Sequence, residues 1–309
     1  APQAAGLFDR GISQSGPCVS PSAYKTLNAA LTTGDQFTAT LGCSGAADVP
    51  ACLRSKTPAQ LIAAAPPPGV NSGATWSPVV DGVVMPQQPL DALRSGSFNQ
   101  VPIIQATTAD EMSVFTPQFL AGLPPTSPIA QGIIGALVGA QWLPQINQIY
   151  PPANYPTAFH YFVDVVTDSI YSCNAWRADL ELSKYTPTYA YEVNDKNLPA
   201  PLSSPIPLGA YHGAEMLLMQ QLPEAEFNQL TNAQKEMSNL MIEQFTQFAR
   251  TGHPTALLTL IKNRSALWPR FNRYTQPFFN YDSMNIGLIR DFAEDHHCGF
   301  WNGVLFGNT

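Results

Sequence analysis

The sequence predicts an α/β fold, with a mostly parallel central sheet flanked by helices. Three observations carry that expectation. Short apolar runs alternate with amphipathic segments, the rhythm of strand and helix layers rather than of an all-α or all-β chain. The two most strand-like runs each lead into polar loop residues. Those loops also hold the residues with the richest chemistry, and in open α/β sheets such groups gather just past the carboxyl ends of strands.

Taken in order, Val101-Pro-Ile-Ile-Gln-Ala106 and Thr188-Tyr-Ala-Tyr-Glu-Val193 are β-branched or aromatic and predict interior strands. Between them, Ile133 to Ile146 is the most apolar stretch, and it reads as core helix or pocket wall. Interrupted by Gly and Pro, it is too short to cross a bilayer as a helix. The clearest helix starts at Thr231, where Thr231-Asn-Ala-Gln234 has capping-box spacing, and Met237, Leu240, Met241, Phe245 and Phe248 share one face. Gly252 and Pro254 end it. Prolines cluster in Pro66-Pro-Pro-Gly69, Pro124-Pro125, Pro151-Pro152 and Pro199 to Pro207, predicting stiff loops over the sheet that shape a pocket. Phe115, Phe119, Trp142, Tyr161 and Phe162 are placed in such loops, as pocket lining or as core. No repeat or charge-rich linker suggests a boundary, so residues 1–309 are read as one domain.

At 309 residues and 45% hydrophobic content, the chain can bury a sizeable core. With 15 basic residues against 22 acidic ones and no Lys/Arg block, nucleic acid is excluded as an expected partner. Ala1 replaces an initiator Met and no signal-peptide pattern follows, which reads as a processed product or a fragment. Five cysteines and the sequon Asn263-Arg264-Ser265, a glycosylation acceptor, fit an oxidising, secretory setting. Cys43 and Cys52 flank a short polar segment. They are either a local disulfide, removing on the order of 2–3 kcal/mol of unfolded-chain entropy, or two unrelated thiols. Neither His nor a second Cys pair stands at zinc-site spacing, so no metal and no cofactor is expected.

After the first strand comes Thr107-Thr-Ala-Asp-Glu-Met-Ser-Val-Phe115, with adjacent carboxylates Asp110 and Glu111. After the second comes Gly209-Ala-Tyr-His-Gly-Ala-Glu215, with His212 among small residues. A carboxylate that orients and charges an imidazole is what an acyl-transfer site needs, and acid before histidine is the order met in serine hydrolases of this layering. Alone, such an Asp-Glu pair is more often a solvated turn and a lone histidine more often structural. The chain has no Gly-x-Ser-x-Gly elbow and no Gly-Gly oxyanion loop. In Gly11-Ile-Ser-Gln-Ser-Gly16 the spacing is wrong for Ser13 or Ser15 to act as nucleophile.

From Ala5 to Asn302 the chain resembles the second half of the type-B carboxylesterase/lipase family, which includes the cholinesterases and fungal lipases. The segments that carry the likeness are Gly6-Leu-Phe-Asp-Arg-Gly-Ile-Ser-Gln-Ser-Gly16, Trp76-Ser-Pro-Val-Val-Asp-Gly82, the Asp110-Glu111 loop, Tyr189-Ala-Tyr-Glu192, Tyr211-His-Gly-Ala-Glu215, Phe248-Ala-Arg-Thr-Gly-His-Pro254, Trp268-Pro-Arg-Phe271 and Cys298-Gly-Phe-Trp-Asn302. The resemblance implies the C-terminal part of an α/β-hydrolase fold, without its N-terminal strands and nucleophile elbow. It implies that Glu111 is the triad acid, His212 the general base, Asp110 only a neighbour, and Ser15 a hydrogen-bond partner beside the acid. It pairs Cys43 with Cys52 and Cys173 with Cys298, leaving Cys18 odd. Met112 replaces the family's glycine after the acid, His253 its Asp or Asn, and Thr255 to Leu267 is longer and more apolar than the usual loop.

The implied function is carboxylic-ester hydrolysis by a secreted serine esterase or lipase. Its substrate is a small-molecule or lipid ester, and its serine and oxyanion donors come from an N-terminal half. The isolated chain is then expected to be nearly inert and to expose an apolar sheet edge that another chain covers. The alternative is a non-catalytic member of the fold used in binding or adhesion, although such a protein has no chemical need for both Glu111 and His212.

Overall fold

The computed structural model describes residues 1–20, 24–65, 76–201, 204–221, 224–255 and 266–307. Strand β1 (Gly11–Gln14) lies at one edge of the main sheet, and β2 (Lys25–Thr26) and β3 (Val79–Val80) form a separate two-stranded ribbon. The main sheet continues through β4 (Ile103–Thr108), β5 (Thr188–Val193), β6 (Phe278–Tyr281) and β7 (Gly287–Ile289), in the spatial order β1-β4-β5-β6-β7. All its pairings are parallel except β6 with β7. The α/β class with a mostly parallel sheet, read from the sequence, therefore holds, and the runs beginning at Val101 and Thr188 supply the interior strands β4 and β5. All six residues of β5 are buried, as expected of a parallel strand covered on both faces.

Helices cover the sheet, and their starts are written in the sequence. In α1 (Leu27–Thr40), α2 (Val49–Arg54) and α3 (Pro58–Ala64), the side chains of Thr26, Asp48 and Thr57 accept the backbone N–H bonds that a helix start leaves unpaired. The segment between Cys43 and Cys52 is thus not all loop, because Asp48 nucleates α2 inside it. Helix α4 (Pro89–Ser95) ends at Gly96 in the left-handed conformation. The apolar stretch from Ile133 to Ile146 divides between α5 (Pro128–Val138) and α6 (Leu143–Ile149). Gly139, at φ 102°, breaks the α-helical path, and Pro144 near the start of α6 suits a helix beginning rather than an interior.

Helix α7 (Ala158–Thr167) buries eight of its ten residues, including Tyr161 and Phe162. The sequence reading that put those two aromatics in loops is corrected: Thr157 and the apolar run after it make a helix that packs into the core. A π-helical segment, Asp168–Ser172, carries α7 into α8 (Cys173–Leu182). Beyond β5, α9 (Ala214–Gln220) and the single turn α10 (Glu224–Phe227) precede α11 (Asn232–Thr251). The last has the capping box of Thr231 and Gln234 and ends at left-handed Gly252, as the spacing predicts. The helices Phe292–Asp295 and Cys298–Phe306 close the described chain.

The core gathers on β4, β5 and β6. Trp268 stacks on Phe279 and donates its indole N–H to the Ala190 carbonyl at 3.0 Å, and Phe278 stacks on Phe292 at 3.6 Å between ring centres. Cys43 bonds Cys52, and Cys173 bonds Cys298 across 125 positions. Cys18 is free among the described residues, and burial pushes its thiol up to about 11. Beside edge strand β1, Leu7, Phe8 and Ile12 are exposed. Pro66 to Gly69, Asn263 and most of Thr255 to Leu267 lie outside the described residues.

Candidate active site

Strand β4 ends in two threonines that build a receptor for a carboxylate. Past the strand end, Asp110 forms an isolated bridge with Tyr211, and the chain tightens into a 3-10 turn, Glu111–Val114. Glu111 is fully buried at 0% exposure. Its Oε1 accepts the Thr108 backbone N–H at 2.8 Å and the Thr107 hydroxyl at 3.0 Å. Its Oε2 faces Nδ1 of His212 at 2.6 Å. The turn is fastened from behind, because the Met112 N–H donates to Thr167 Oγ1 on α7 at 3.2 Å.

A carboxylate can only accept, so the short contact fixes the imidazole proton on Nδ1 and leaves Nε2 as the basic nitrogen. Nε2 has no hydrogen-bond partner among the described residues, and the His212 side chain is 33% exposed against a buried acid. The hydrogen bond to Glu111 raises the His212 pKa above the ordinary histidine value, and partial burial opposes that rise. The rings of Phe115 and Tyr171 stand 5.1 and 5.5 Å from the imidazole and shape its surroundings. Tyr171 sits in the π-helical segment, and burial followed by the Glu111 charge pushes its phenol up to about 12.

The histidine loop is held by the residue before the acid. Asp110 Oδ2 accepts the Ala210 N–H at 2.8 Å and the Lys196 ammonium at 2.8 Å, while the Asp110 N–H donates to the Ala210 carbonyl at 3.0 Å. Gly209 makes this approach feasible. It has φ +64°, and a Cβ placed there would stand 2.2 Å from Asp110 Oδ2. Asp110 is therefore more than a neighbour of the acid: it anchors the loop that carries His212.

Ser15 does not form the expected bond to the acid. Its Oγ is buried with no partner among the described residues, its backbone turns to φ 48°, and Thr107 occupies the receptor position at Glu111 Oε1. Ser13 donates instead to the Gly16 carbonyl, and no hydroxyl or thiol among the described residues hydrogen-bonds His212.

Sequence reasoning also passed over Glu215. Three positions after His212 in the first turn of α9, it is buried, and burial together with the Glu111 charge pushes its carboxyl up to about 7. Tyr191 reaches its Oε1 at 3.5 Å and in turn receives the Gln14 amide at 3.0 Å. The sequence signal was present in His-Gly-Ala-Glu, with a carboxylate one helical turn from the histidine. Chemically, the buried acid and half-open imidazole can accept a proton from a hydroxyl placed at Nε2 and return it to a leaving group. Among the described residues no three His, Cys, Asp or Glu side chains form a metal-binding group.

The profile of the carboxylesterase family matches residues 1–301. Carboxylesterase 3 of Pongo abelii is 27% identical over 304 residues, covering 89% of this chain and 50% of that protein. Acetylcholinesterase of Bungarus fasciatus is 26% identical, covering 97% of this chain and 51% of its own length. Cholinesterase of Mus musculus is 24% identical, with 97% and 52% covered. The chain spans about half the length of the curated relatives it matches.

Proposed function

That this chain belongs to the carboxylesterase family is the premise from which we propose that it supplies the acid and base of a carboxylic-ester hydrolase, Glu111 and His212. The nucleophilic serine and the oxyanion donors come from outside these 309 residues. The 2.6 Å contact between a fully buried carboxylate and a half-open imidazole carries the proposal. It is the geometry that holds a histidine in one tautomer and stabilises it when it becomes cationic.

In the proposed reaction the serine oxygen attacks the ester carbonyl carbon while His212 Nε2 takes the serine proton. Backbone N–H donors from the other segment hold the oxyanion. As the tetrahedral intermediate collapses, the alkoxide leaves with the proton from Nε2, and an acyl-serine remains. Water then attacks the acyl carbon, giving its proton to Nε2, and the regenerated serine takes that proton back as the carboxylic acid departs. Glu111 orients the imidazole and balances its charge, with Thr107 and Thr108 holding its second oxygen. Substrates are small-molecule or lipid esters. Secretion and glycosylation of Asn263 belong to the same proposal, which the two disulfides support.

The test uses the intact natural protein, p-nitrophenyl esters and a serine-directed fluorophosphonate. Activity should fall by a factor on the order of 10⁴ or more in His212→Ala, the usual scale for losing a member of such a unit. Peptide mapping should place the phosphonate on a serine outside residues 1–309. An adduct on a serine within the chain, or hydrolysis unaffected in His212→Ala, would sink the proposal. Absence of both hydrolysis and adduct would instead favour a binding or adhesion protein.

A further inference from the structure

One hydrogen bond does not by itself fix the plane of an imidazole. The Nδ1 contact to Glu111 sets where one ring nitrogen of His212 sits, yet the ring can still swing about that contact and carry Nε2 away from a substrate. The chain beside the histidine does little to prevent this. Gly213 follows at φ +85°, and a Cβ placed there would meet nothing within 4 Å. The side chain itself is 33% exposed. Two aromatic rings, from segments far apart in the sequence, close off the remaining freedom. Phe115 stands 5.1 Å from the imidazole at an interplanar angle of 57°, and Tyr171 stands 5.5 Å away at 59°.

The two rings are not equivalent. Phe115 is 54% exposed and borders solvent. Tyr171 is half-buried in the π-helical segment Asp168–Ser172, a winding that recurs at functional sites. That segment is fastened on both sides of the tyrosine. Before it, Asp168 Oδ1 lies 2.5 Å from His296 Nδ1, and His296 Nε2 lies 2.9 Å from Glu192 Oε1. After it, Cys173 is bonded to Cys298, and the Asn174 amide donates to the Ile170 carbonyl at 2.7 Å. A side chain whose backbone is held this way presents a fixed wall to its neighbour. The Tyr171 hydroxyl makes no hydrogen bond among the described residues. What meets His212 is therefore the ring, and the hydroxyl is dispensable to the contact.

We propose that Tyr171 is a positioning residue: its ring holds the His212 imidazole in the plane that aims Nε2 at the serine and leaving-group oxygens, while Glu111 fixes the opposite nitrogen. The inference rests on the ester-hydrolase reading of Glu111 and His212. Its cost when lost is geometric, because a reacting group displaced by about 1 Å can cost on the order of 10²-fold in rate.

Two measurements on the intact natural protein test this: the kinetics of p-nitrophenyl ester hydrolysis, and the far-downfield NMR resonance of the Nδ1 proton shared with Glu111, which needs no substrate. Tyr171→Leu should lower kcat by about tenfold or more with KM within about twofold, and its Nδ1 proton should exchange faster with water and broaden. Tyr171→Phe keeps the ring and should keep both the wild-type kcat and the resonance. Circular dichroism in the far ultraviolet checks that each variant is folded, and should Tyr171→Leu fail to fold, Tyr171→Met takes its place with the same expected losses. An unchanged kcat or an unchanged resonance in the folded variant, or an equal loss in Tyr171→Phe, overturns the proposal. If the wild type hydrolyses no ester, the ester-hydrolase reading falls, and the resonance decides this inference separately: broadened in Tyr171→Leu it upholds the ring contact, and unaltered it overturns it.

Discussion

Replacing Gly209 with alanine isolates the device that sets His212 in place. The substitution adds one methyl group, and the structure states where it goes: 2.2 Å from Asp110 Oδ2 and 2.9 Å from its Cγ, at a backbone φ of +64°. The left-handed conformation alone costs an L-residue about 1–2 kcal/mol. No atom can stay 2.2 Å from a carbon, so the carboxylate must also swing away, surrendering the Ala210 N–H and the Lys196 ammonium, both at 2.8 Å. Lys196 is half exposed and regains water, so its share is small. The N–H bond to a charged acceptor accounts for about 1.5–3 kcal/mol more. We expect Gly209→Ala to destabilise by about 3–4 kcal/mol in urea unfolding followed by circular dichroism. Gly213→Ala is the matched control: its φ is +85°, but a Cβ there meets nothing within 4 Å, so only the conformational cost applies. Asp110→Ala should remove most of the extra cost of Gly209→Ala, because the clash disappears with the carboxylate. Equal losses for the two glycine variants, or full additivity with Asp110→Ala, would show that the loop is not held this way.

Two further outcomes concern protons at the same site. Glu111→Gln removes the leading cause of the raised His212 pKa, so the histidine titration followed by NMR should move down toward about 6.5. A His pKa raised on folding contributes stability that is full below the unfolded value and fades as pH climbs through the folded one. That fading, expected of the wild type, should be lost in Glu111→Gln. Glu215 acts in the same direction with pH, starting from a lower unfolded value. Its pKa rises from 4.5 to about 7 on folding, so the unfolded chain loses this proton first and stability declines between those two values. Glu215→Gln should flatten that decline in pH-dependent denaturation, and an unaltered slope would mean that Glu215 ionises as an ordinary carboxylate.

The sheet and the acid–histidine pair were legible because local signals coincide with long-range ones there. Strands β4 and β5 are apolar runs of strand length, and each delivers its polar residue just past its end, so order along the chain foretold proximity in space. The capping box at Thr231 is similarly self-contained. Other features depend on partners that no local pattern marks. His296 finds Asp168 across 128 positions, and nothing in Asp-His-His-Cys announces a buried ion pair. Tyr161 and Phe162 follow Pro156 and Thr157, a context that reads as loop until the apolar face of α7 meets its neighbours. Glu215 stood in the histidine loop without a role, because its spacing from His212 does not reveal that it is buried. Ser15 was placed beside the acid by the resemblance alone, and its oxygen is buried without a partner among the described residues, on a backbone turned to φ 48°.

The π-helical segment between α7 and α8 constrains how this chain can change. Within its five residues, Asp168 is joined to His296 and Tyr171 stands beside His212, while the next residue, Cys173, is covalently tied to Cys298. An α-helix advances about 100° per residue, so a one-residue deletion here would swing everything on one side of it by more than a quarter turn. Three attachments to separate parts of the molecule could not be kept together after such a rotation. Substitutions at Ser169 or Ile170 leave the winding intact. The segment is therefore governed by its length more than by its letters, and shortening it by one residue would strike the histidine loop, the Asp168–His296 pair and the C-terminal tether at once.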